Sequence, residues 1–159
     1  MDLNHEIRFP LADFRSRGYF IAKASNIQPL KQIQSVLTKL VKPYNSNFNI
    51  FENEELLNRF HSYYSSEESK LNDIRMKIIN EIDLSNKTNL LSASVFEAFK
   101  DLIISLLGPD ILAQKSTNLV IQPPKSSFFS ELHRDAPGNS EFELVAWVPM
   151  VNCYEGKSF

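Results

Sequence analysis

The chain changes character at Gly108 and Pro109, and this boundary limits the folds it can adopt more than any other feature. Before the boundary, apolar residues recur three and four positions apart, as on the buried face of a helix. After it, short runs rich in β-branched and aromatic residues end in prolines or polar turns, which is typical of strands. Helices that come first and strands that gather at the end predict helices packed on one side of a sheet or barrel.

Two apolar stripes lie early in the predicted helical part, residues 1–108. The first stripe starts after Pro29 and stops before Pro43, because proline cannot continue a helix. Its members are Leu30, Ile33, Val36, Leu37, Leu40 and Val41. The second stripe follows Ser65 and Glu68, whose spacing is that of a capping box. Its members are Leu71, Ile74, Ile78 and Ile82.

A third helix is predicted to begin near Ser94, since Ser94 and Glu97 repeat the capping spacing, and to end at Gly108. Its apolar positions are Phe96, Phe99, Leu102, Ile103, Leu106 and Leu107. Burial against a sheet explains all three stripes, so none of them receives a catalytic role. Near the start of the chain, Gly18 followed by apolar residues predicts a turn into a short strand.

The predicted strand part, residues 109–159, contains three runs: NLVIQPP at 118–124, SSFFSEL at 126–132 and EFELVAWVPMVNCY at 141–154. The last run is almost continuously apolar, as expected for a strand covered on both faces. At 159 residues, 43% of them hydrophobic, the chain is long enough to bury one ordinary core. We therefore predict a single domain.

Charge and cysteine content exclude several classes of function. The net charge of -2 gives no electrostatic footprint for nucleic acid or for an anionic membrane. Cys153 is the only cysteine, which excludes an intrachain disulfide and a cysteine-built zinc site, and we expect it to be a small buried apolar residue. No apolar stretch approaches the roughly 18 residues that a membrane span needs, and residues 1–14 lack the apolar core of a signal peptide. We expect a cytoplasmic protein.

The main functional signal is the tripeptide His133, Arg134 and Asp135, which precedes the last apolar run. The same letters occur in the catalytic loop of protein kinases, where an asparagine follows the aspartate by five positions. Here Asn139 follows by four, and a chain with 4 glycines has no glycine-rich phosphate loop. These differences exclude a kinase.

A metal site is the other interpretation of this tripeptide. Side chains two positions apart on a strand project from the same face, so His133 and Asp135 could share one ion. Imidazole plus carboxylate suits iron(II) when a second histidine completes a facial triad. Taken alone, His-x-Asp also fits a surface turn with a local contact.

The surroundings of the pair resemble the phytanoyl-CoA dioxygenase-like family of iron(II)- and 2-oxoglutarate-dependent oxygenases. In that family a strand like LVIQPP leads to His-x-Asp and then to a strand like ELVAWVPMVN. The resemblance is specific from Leu119 to Pro149 and looser over FRSRGYFIAK and the long helix that follows. The run FELVAWVPMVNCYEGKSF is similar to a bacterial branch linked to surface-carbohydrate gene clusters.

The resemblance implies an α+β fold, the double-stranded β-helix (jelly-roll or cupin-like) oxygenase fold. Residues 1–108 would supply its N-terminal helices and residues 109–159 its early strands, with the barrel incomplete. The implied cofactor is Fe(II), with 2-oxoglutarate as co-substrate. The implied reaction is hydroxylation of a small molecule, such as a carbohydrate-pathway metabolite.

The site residues follow from the same resemblance. His133 and Asp135 match the first two iron ligands, and no catalytic residue is implied beyond them. Trp147 matches an aromatic residue that lines the 2-oxoglutarate pocket, and a core tryptophan is an equal alternative. Gln122 and Asn118 could hydrogen-bond the co-substrate or mark the exposed side of their strand.

Two residues of the family pattern match no position here: a third ligand, histidine, and the arginine that pairs with the distal carboxylate of 2-oxoglutarate. Neither His5 nor His61 has surroundings that suggest a substitute. We therefore expect a truncated oxygenase domain that is inactive by itself. The alternative is a non-catalytic jelly-roll or cupin-like module that binds a sugar or a protein partner. An unfinished sheet edge would favour self-association.

Overall fold

The structure, a computed structural model, describes residues 14, 16–19, 21–44, 53–64, 67–85, 88–114, 118–123 and 143–153. Residues 14, 16 and 17 are helical, and four α-helices follow them in this part of the chain: α1 at Gln28–Val41, α2 at Asn53–Phe60, α3 at Glu68–Leu84 and α4 at Thr88–Leu107. Short 3₁₀ turns follow α1 at Lys42–Tyr44 and α2 at His61–Tyr64. No helix among these residues combines the length and the apolarity needed to cross a bilayer.

The predicted α+β fold with a double-stranded β-helix is wrong, because most of the described residues are helical and none of them forms a strand. Residues 21–24, 118–123 and 143–149 run without regular secondary structure, although all three stretches were expected to be strands or to include strand residues. The apolar run is not covered on two faces, since Val145 is 61% exposed and Trp147 is 51% exposed. A residue's strand preference depends on neighbours that pack against it in a sheet, and no sheet is present in the described part.

Helix α1 forms where the apolar spacing and the prolines predicted it. Pro29 lies in its first turn, where a missing N–H costs no hydrogen bond, and Pro43 lies in the 3₁₀ turn that ends it. The backbone N–H of Gln28 donates to Asn26 Oδ1 at 3.1 Å. The buried members of its stripe are Ile33, Leu37, Leu40 and Val41.

Helix α3 carries the predicted stripe but not the predicted cap. Its N-cap residue is Glu67, and no side-chain hydrogen bond caps the helix, so the capping box that was to start at Ser65 is wrong. Lys70 Nζ lies 3.0 Å from Glu67 Oε2 in the first turn. The stripe itself is confirmed, because all four of its members are buried: Leu71, Ile74, Ile78 and Ile82.

Helix α4 begins earlier than predicted and is bent. It starts at Thr88, so Ser94 is a buried residue inside the helix and not its cap. The backbone leaves helical geometry at Phe99 (φ -125°, ψ 19°). The preceding carbonyl, Ala98 O, accepts hydrogen bonds from Ser25 N at 3.0 Å and Ser25 Oγ at 3.1 Å. Such insertion of outside donors is a recognised cause of a helix kink.

The end of α4 is confirmed as predicted. Gly108 follows the helix with a φ of +85°, a left-handed conformation that glycine adopts without strain. Its N–H donates to Ile104 O at 2.8 Å, which satisfies one carbonyl of the last turn.

The core lies between the helices. Helix α1 contacts both α2 and α4, and α3 contacts the turn that follows α2. In that turn the Tyr64 hydroxyl donates to Tyr44 O, and the Tyr64 and Phe60 ring centroids are 5.6 Å apart. One buried apolar cluster joins all four helices: Ile33, Leu37, Leu40, Val41, Leu56, Phe60, Tyr64, Leu71, Ile74, Ile78, Ile82 and Leu91.

Candidate functional site

The predicted iron ligands, His133 and Asp135, lie outside the described residues. Their pairing therefore stays a prediction. Among the residues that the structure does describe, no group of three or more His, Cys, Asp and Glu side chains could hold a metal ion. His61 lies half-buried in the turn after α2. Two described segments lie closest in sequence to the predicted ligands. We call residues 118–123 the leading segment and residues 143–153 the trailing segment.

The leading segment lies against the helical core in an extended path. Leu119 and Ile121 are half-buried and pack against the core cluster. Val120, between them, is 62% exposed. Alternate residues on opposite sides are the signature of an extended chain, so the segment keeps the side-chain pattern of a strand without being part of a sheet.

Arg75 of α3 anchors the leading segment. Its Nη1 donates to Leu119 O at 3.2 Å. The guanidinium is oriented by Asn72 one turn earlier on α3, whose Oδ1 accepts from Arg75 Nε at 3.1 Å and from Nη2 at 2.9 Å. A charged donor held by a second contact makes a stronger hydrogen bond than a neutral donor on a mobile side chain.

The trailing segment is anchored by two other helices. Gln34 of α1 donates from Nε2 to Met150 O at 3.1 Å. Asn58 of α2 accepts at Oδ1 from the backbone N–H of Asn152 at 2.8 Å. Met150 packs against the core cluster. Side chains of the helices therefore satisfy backbone groups that a neighbouring strand would bond in a sheet.

The residues predicted to contact 2-oxoglutarate lie on these two segments, at the surface. Asn118 and Gln122 are exposed, as is Trp147. Trp147 is not part of the buried core, which removes the core-tryptophan alternative. A role for the three side chains in binding the co-substrate stays a prediction.

No family model matches the chain, and no curated protein or solved structure matches it. The resemblance to the phytanoyl-CoA dioxygenase-like family therefore rests on the sequence motifs described above.

Cys153 differs from its prediction. It was expected to be buried, and it is exposed at the end of the trailing segment. Its Sγ lies 3.6 Å from Val151 O, which is a local contact.

Three anchoring residues were not found by inspection of the sequence: Gln34, Asn58 and Arg75. Their partners lie 116, 94 and 44 positions away along the chain. Gln34 and Arg75 each stand directly beside a buried stripe residue, Ile33 and Ile74. A polar residue beside such a stripe is the signal that could have suggested a contact at the edge of the core.

The residues with shifted pKa values lie where the second 3₁₀ turn meets α3. Burial raises the pKa of the Tyr64 phenol, Lys70 opposes this shift and Glu67 adds to it. The hydrogen bond with Glu67 raises the pKa of Lys70, whose Nζ lies 5.5 Å from the centre of the Tyr64 ring. The Tyr64 hydroxyl donates a hydrogen bond to Tyr44 O, and Lys70 forms an ion pair with Glu67. We therefore interpret these groups as stabilising the turn.

Proposed function

We propose that the chain is part of an iron(II)- and 2-oxoglutarate-dependent oxygenase in which His133 and Asp135 bind the iron. The observation that carries the proposal is the order of LVIQPP, His-x-Asp and ELVAWVPMVN along the chain. An imidazole nitrogen and a carboxylate oxygen are suitable donors for iron(II), so the chemistry of the pair fits the metal. When bound, iron with 2-oxoglutarate supplies oxidation of an unactivated C–H bond.

The contribution of this chain to that chemistry is two of three metal ligands and part of a binding surface. His133 would donate an imidazole nitrogen and Asp135 a carboxylate oxygen. Trp147, Gln122 and Asn118 would contact the co-substrate. With no match for the third ligand or the carboxylate-binding arginine, we expect the 159-residue chain to bind iron weakly and to release no succinate.

The proposed substrate is a small molecule, such as a carbohydrate-pathway metabolite, and no nucleic acid or membrane partner is proposed. The proposed location is the cytoplasm, a reducing compartment in which a lone thiol such as Cys153 stays reduced. Self-association was predicted from an unfinished sheet edge. The described residues contain no sheet, so that prediction now has no structural support, and no observation tests it.

The test is anaerobic iron(II) binding by the full chain, measured by equilibrium dialysis over a range of iron(II) concentrations with 2-oxoglutarate present. Loss of an outer-sphere partner of a metal ligand typically costs 10- to 100-fold in affinity, so His133→Ala and Asp135→Ala should each cost at least about tenfold. Arg134→Ala is the matched control and should retain iron, because the residue between the ligands would point away from the metal.

The results separate two functions. Iron binding lost in both ligand variants and kept in Arg134→Ala supports the oxygenase. No iron binding by the unaltered chain leaves the second candidate, a non-catalytic module that binds a sugar or a protein partner. That candidate is favoured by the two family residues that no position here matches. Succinate release that is abolished by His133→Ala would contradict the expected inactivity of the chain.

A further inference from the structure

Helix α4 is bent at one residue. Phe99 has non-helical backbone angles (φ -125°, ψ 19°) inside the helix Thr88–Leu107. Proline and glycine, which are common at helix kinks, are absent from this stretch, TNLLSASVFEAFKDLIISLL. Good helix formers flank the bend, with glutamate and alanine before it and lysine after it. The local sequence therefore permits a continuous helix, and tertiary contacts must account for the bend.

The bend coincides with the point where another segment meets the helix. Ala98 O, directly before the bend, accepts hydrogen bonds from Ser25 N at 3.0 Å and from Ser25 Oγ at 3.1 Å, and Asn26 N lies 3.4 Å away. A carbonyl oxygen has two lone pairs, so the two donors of Ser25 suffice to occupy it. Ala98 has an exposed fraction of 0%. A carbonyl in so buried a position needs a partner, and here Ser25 supplies it.

In a continuous helix the partner of this carbonyl would be a different one. The oxygen of Ala98 would accept from the N–H of Leu102, four positions later. The φ of Phe99 sets the tilt of the peptide that carries Ala98 O, and a φ of -125° in place of the helical value of about -63° turns this oxygen from its helical direction. The bent and the continuous helix therefore differ in the donor that the buried carbonyl takes, Ser25 or Leu102.

The residues that meet the bend also belong to the start of α1. Asn26 Oδ1 accepts from the backbone N–H of Gln28 at 3.1 Å, in the first turn of α1. Ser25 directly precedes Asn26, so the position of one is tied to that of the other. Two consecutive residues thereby connect the start of α1 with the bend of α4.

We propose that α4 has a bent and a continuous conformation, and that Ser25 selects the bent one by occupying Ala98 O. In the continuous conformation Leu102 N–H takes that oxygen, and the second half of α4 turns into line with the first. Ile103, which is 9% exposed, lies in the second half, so its packing changes with the bend. A displacement of the segment before α1 therefore straightens the last helix. This switch goes beyond the proposed oxygenase function and does not depend on iron binding.

The Cα chemical shift of Phe99 reports the bend, because helical residues have Cα shifts above their random-coil values. It is measured by NMR in the isotope-labelled full chain. In the unaltered chain Phe99 should fall outside the helical range, whereas Glu97 and Asp101 on either side should fall within it. Exchange spectroscopy by saturation transfer measures the population of the minor, continuous conformer. A fully helical shift at Phe99 in the unaltered chain would overturn the proposal.

Two variants of Ser25 test its role. Ser25→Ala removes the hydroxyl donor and keeps the backbone donors. Loss of one net hydrogen bond changes an equilibrium by about threefold to tenfold, so the ratio of continuous to bent conformer should rise by that factor. Ser25→Pro also removes the N–H of residue 25, so the ratio should rise by about tenfold to a hundredfold and the Phe99 shift should move toward the helical range.

Ser62→Ala is the matched control. Ser62 Oγ donates to Arg59 O at 2.7 Å in the turn after α2, so the variant loses the same kind of hydrogen bond away from α4 and should leave Phe99 unchanged. Far-ultraviolet circular dichroism checks that each variant keeps its helices. If Ser25→Pro does not fold, the population measured in Ser25→Ala decides.

Two results overturn the role of Ser25. An unchanged Phe99 shift and an unchanged minor population in the folded Ser25 variants would assign the bend to α4 itself. An equal change in Ser62→Ala would mean that any loss of stability straightens the helix.

Discussion

A single side chain, that of Tyr64, connects the two 3₁₀ turns of the fold. Its ring is part of the core cluster, its hydroxyl donates to Tyr44 O in the first 3₁₀ turn, and Lys70 lies over its face. A buried aromatic ring with a bonded hydroxyl gains from burial without leaving a polar group unpaired. One side chain thereby fixes the end of α1, the end of α2 and the start of α3.

We expect Tyr64→Phe to lower the free energy of unfolding by about 0.5–1.5 kcal/mol at neutral pH, since Tyr44 O loses its donor. The variant should also change the response to alkali. The pKa of Tyr64 is higher in the folded than in the unfolded chain, so the folded chain binds more protons near pH 10. Its stabilising contribution is complete below about pH 10 and is lost as the pH rises through the folded pKa.

The measurement for Tyr64 is urea unfolding between pH 8 and pH 11. The raised pKa of Lys70 acts with the same sign, so stability of the Tyr64→Phe variant should still fall with pH, but less steeply than that of the unaltered chain. Lys70→Met is the matched control. The free energy of unfolding of this variant should still fall with rising pH, because Tyr64 still titrates. Identical slopes for the unaltered chain and Tyr64→Phe would show that the phenol does not titrate differently in the two states.

At the scale of elements, helices were predictable and the supposed strands were not. The stripes of α1 and α3 repeat at helical spacing, and Gly108 ends α4, because these signals depend on residues a few positions apart. The start of α4 was missed because Ser94 resembles a cap although it is buried inside the helix. Local spacing cannot show that a serine with the spacing of a cap lies inside a helix, where tertiary packing buries it.

The error about strands has a different cause. A run such as LVAWVP indicates an extended chain, and the leading segment alternates between half-buried and exposed residues as an extended chain does. Whether an extended segment pairs with another strand depends on partners far along the chain. Here Arg75 and Gln34 bond backbone carbonyls that a neighbouring strand would otherwise bond. Of the candidate site, the sequence predicts the His-x-Asp pair, which is local, but not the anchors of the segments around it.

The buried stripe of α3 predicts a large loss of stability when the residue at its centre is truncated. Ile78 has an exposed fraction of 0%, so Ile78→Ala should lower the free energy of unfolding by about 2–5 kcal/mol through lost burial and the cavity that remains. Leu84→Ala is the control on the same helix, because Leu84 is 89% exposed, and it should change stability by less than about 0.5 kcal/mol. Thermal or urea unfolding of both variants checks this. Similar costs at the two positions would mean that α3 packs on a different face.

At the scale of the whole molecule, apolar burial and not ion pairing holds the described part together. Two ion pairs of that part, Arg59–Glu55 and Lys70–Glu67, are exposed and join residues three or four positions apart. Exposed pairs of this kind contribute little, because water and salt screen them. The net charge of -2 adds no strong general repulsion.

We therefore expect the free energy of unfolding to change by less than about 1 kcal/mol between 0.05 and 0.5 M NaCl. Sodium sulfate should raise it, because excluded salts strengthen the burial of apolar surface. Arg59→Gln should lower stability by no more than about 0.5 kcal/mol. Urea unfolding in the two salts is the measurement. A steep loss of stability in NaCl would show that charged groups outside these two pairs carry much of the fold.

The contact between α1 and α4 sets when this core can close during synthesis. Ser25 lies just before α1, and its partner Ala98 lies 73 positions later, at the kink of the last helix. A growing chain therefore holds the apolar face of α1 without that partner until α4 has been made. At about 5–20 residues per second, synthesis of those 73 residues takes about 4 to 15 s, long compared with the microseconds in which a helix forms. During this time the stripe of α1 is apolar surface that α4 does not yet cover.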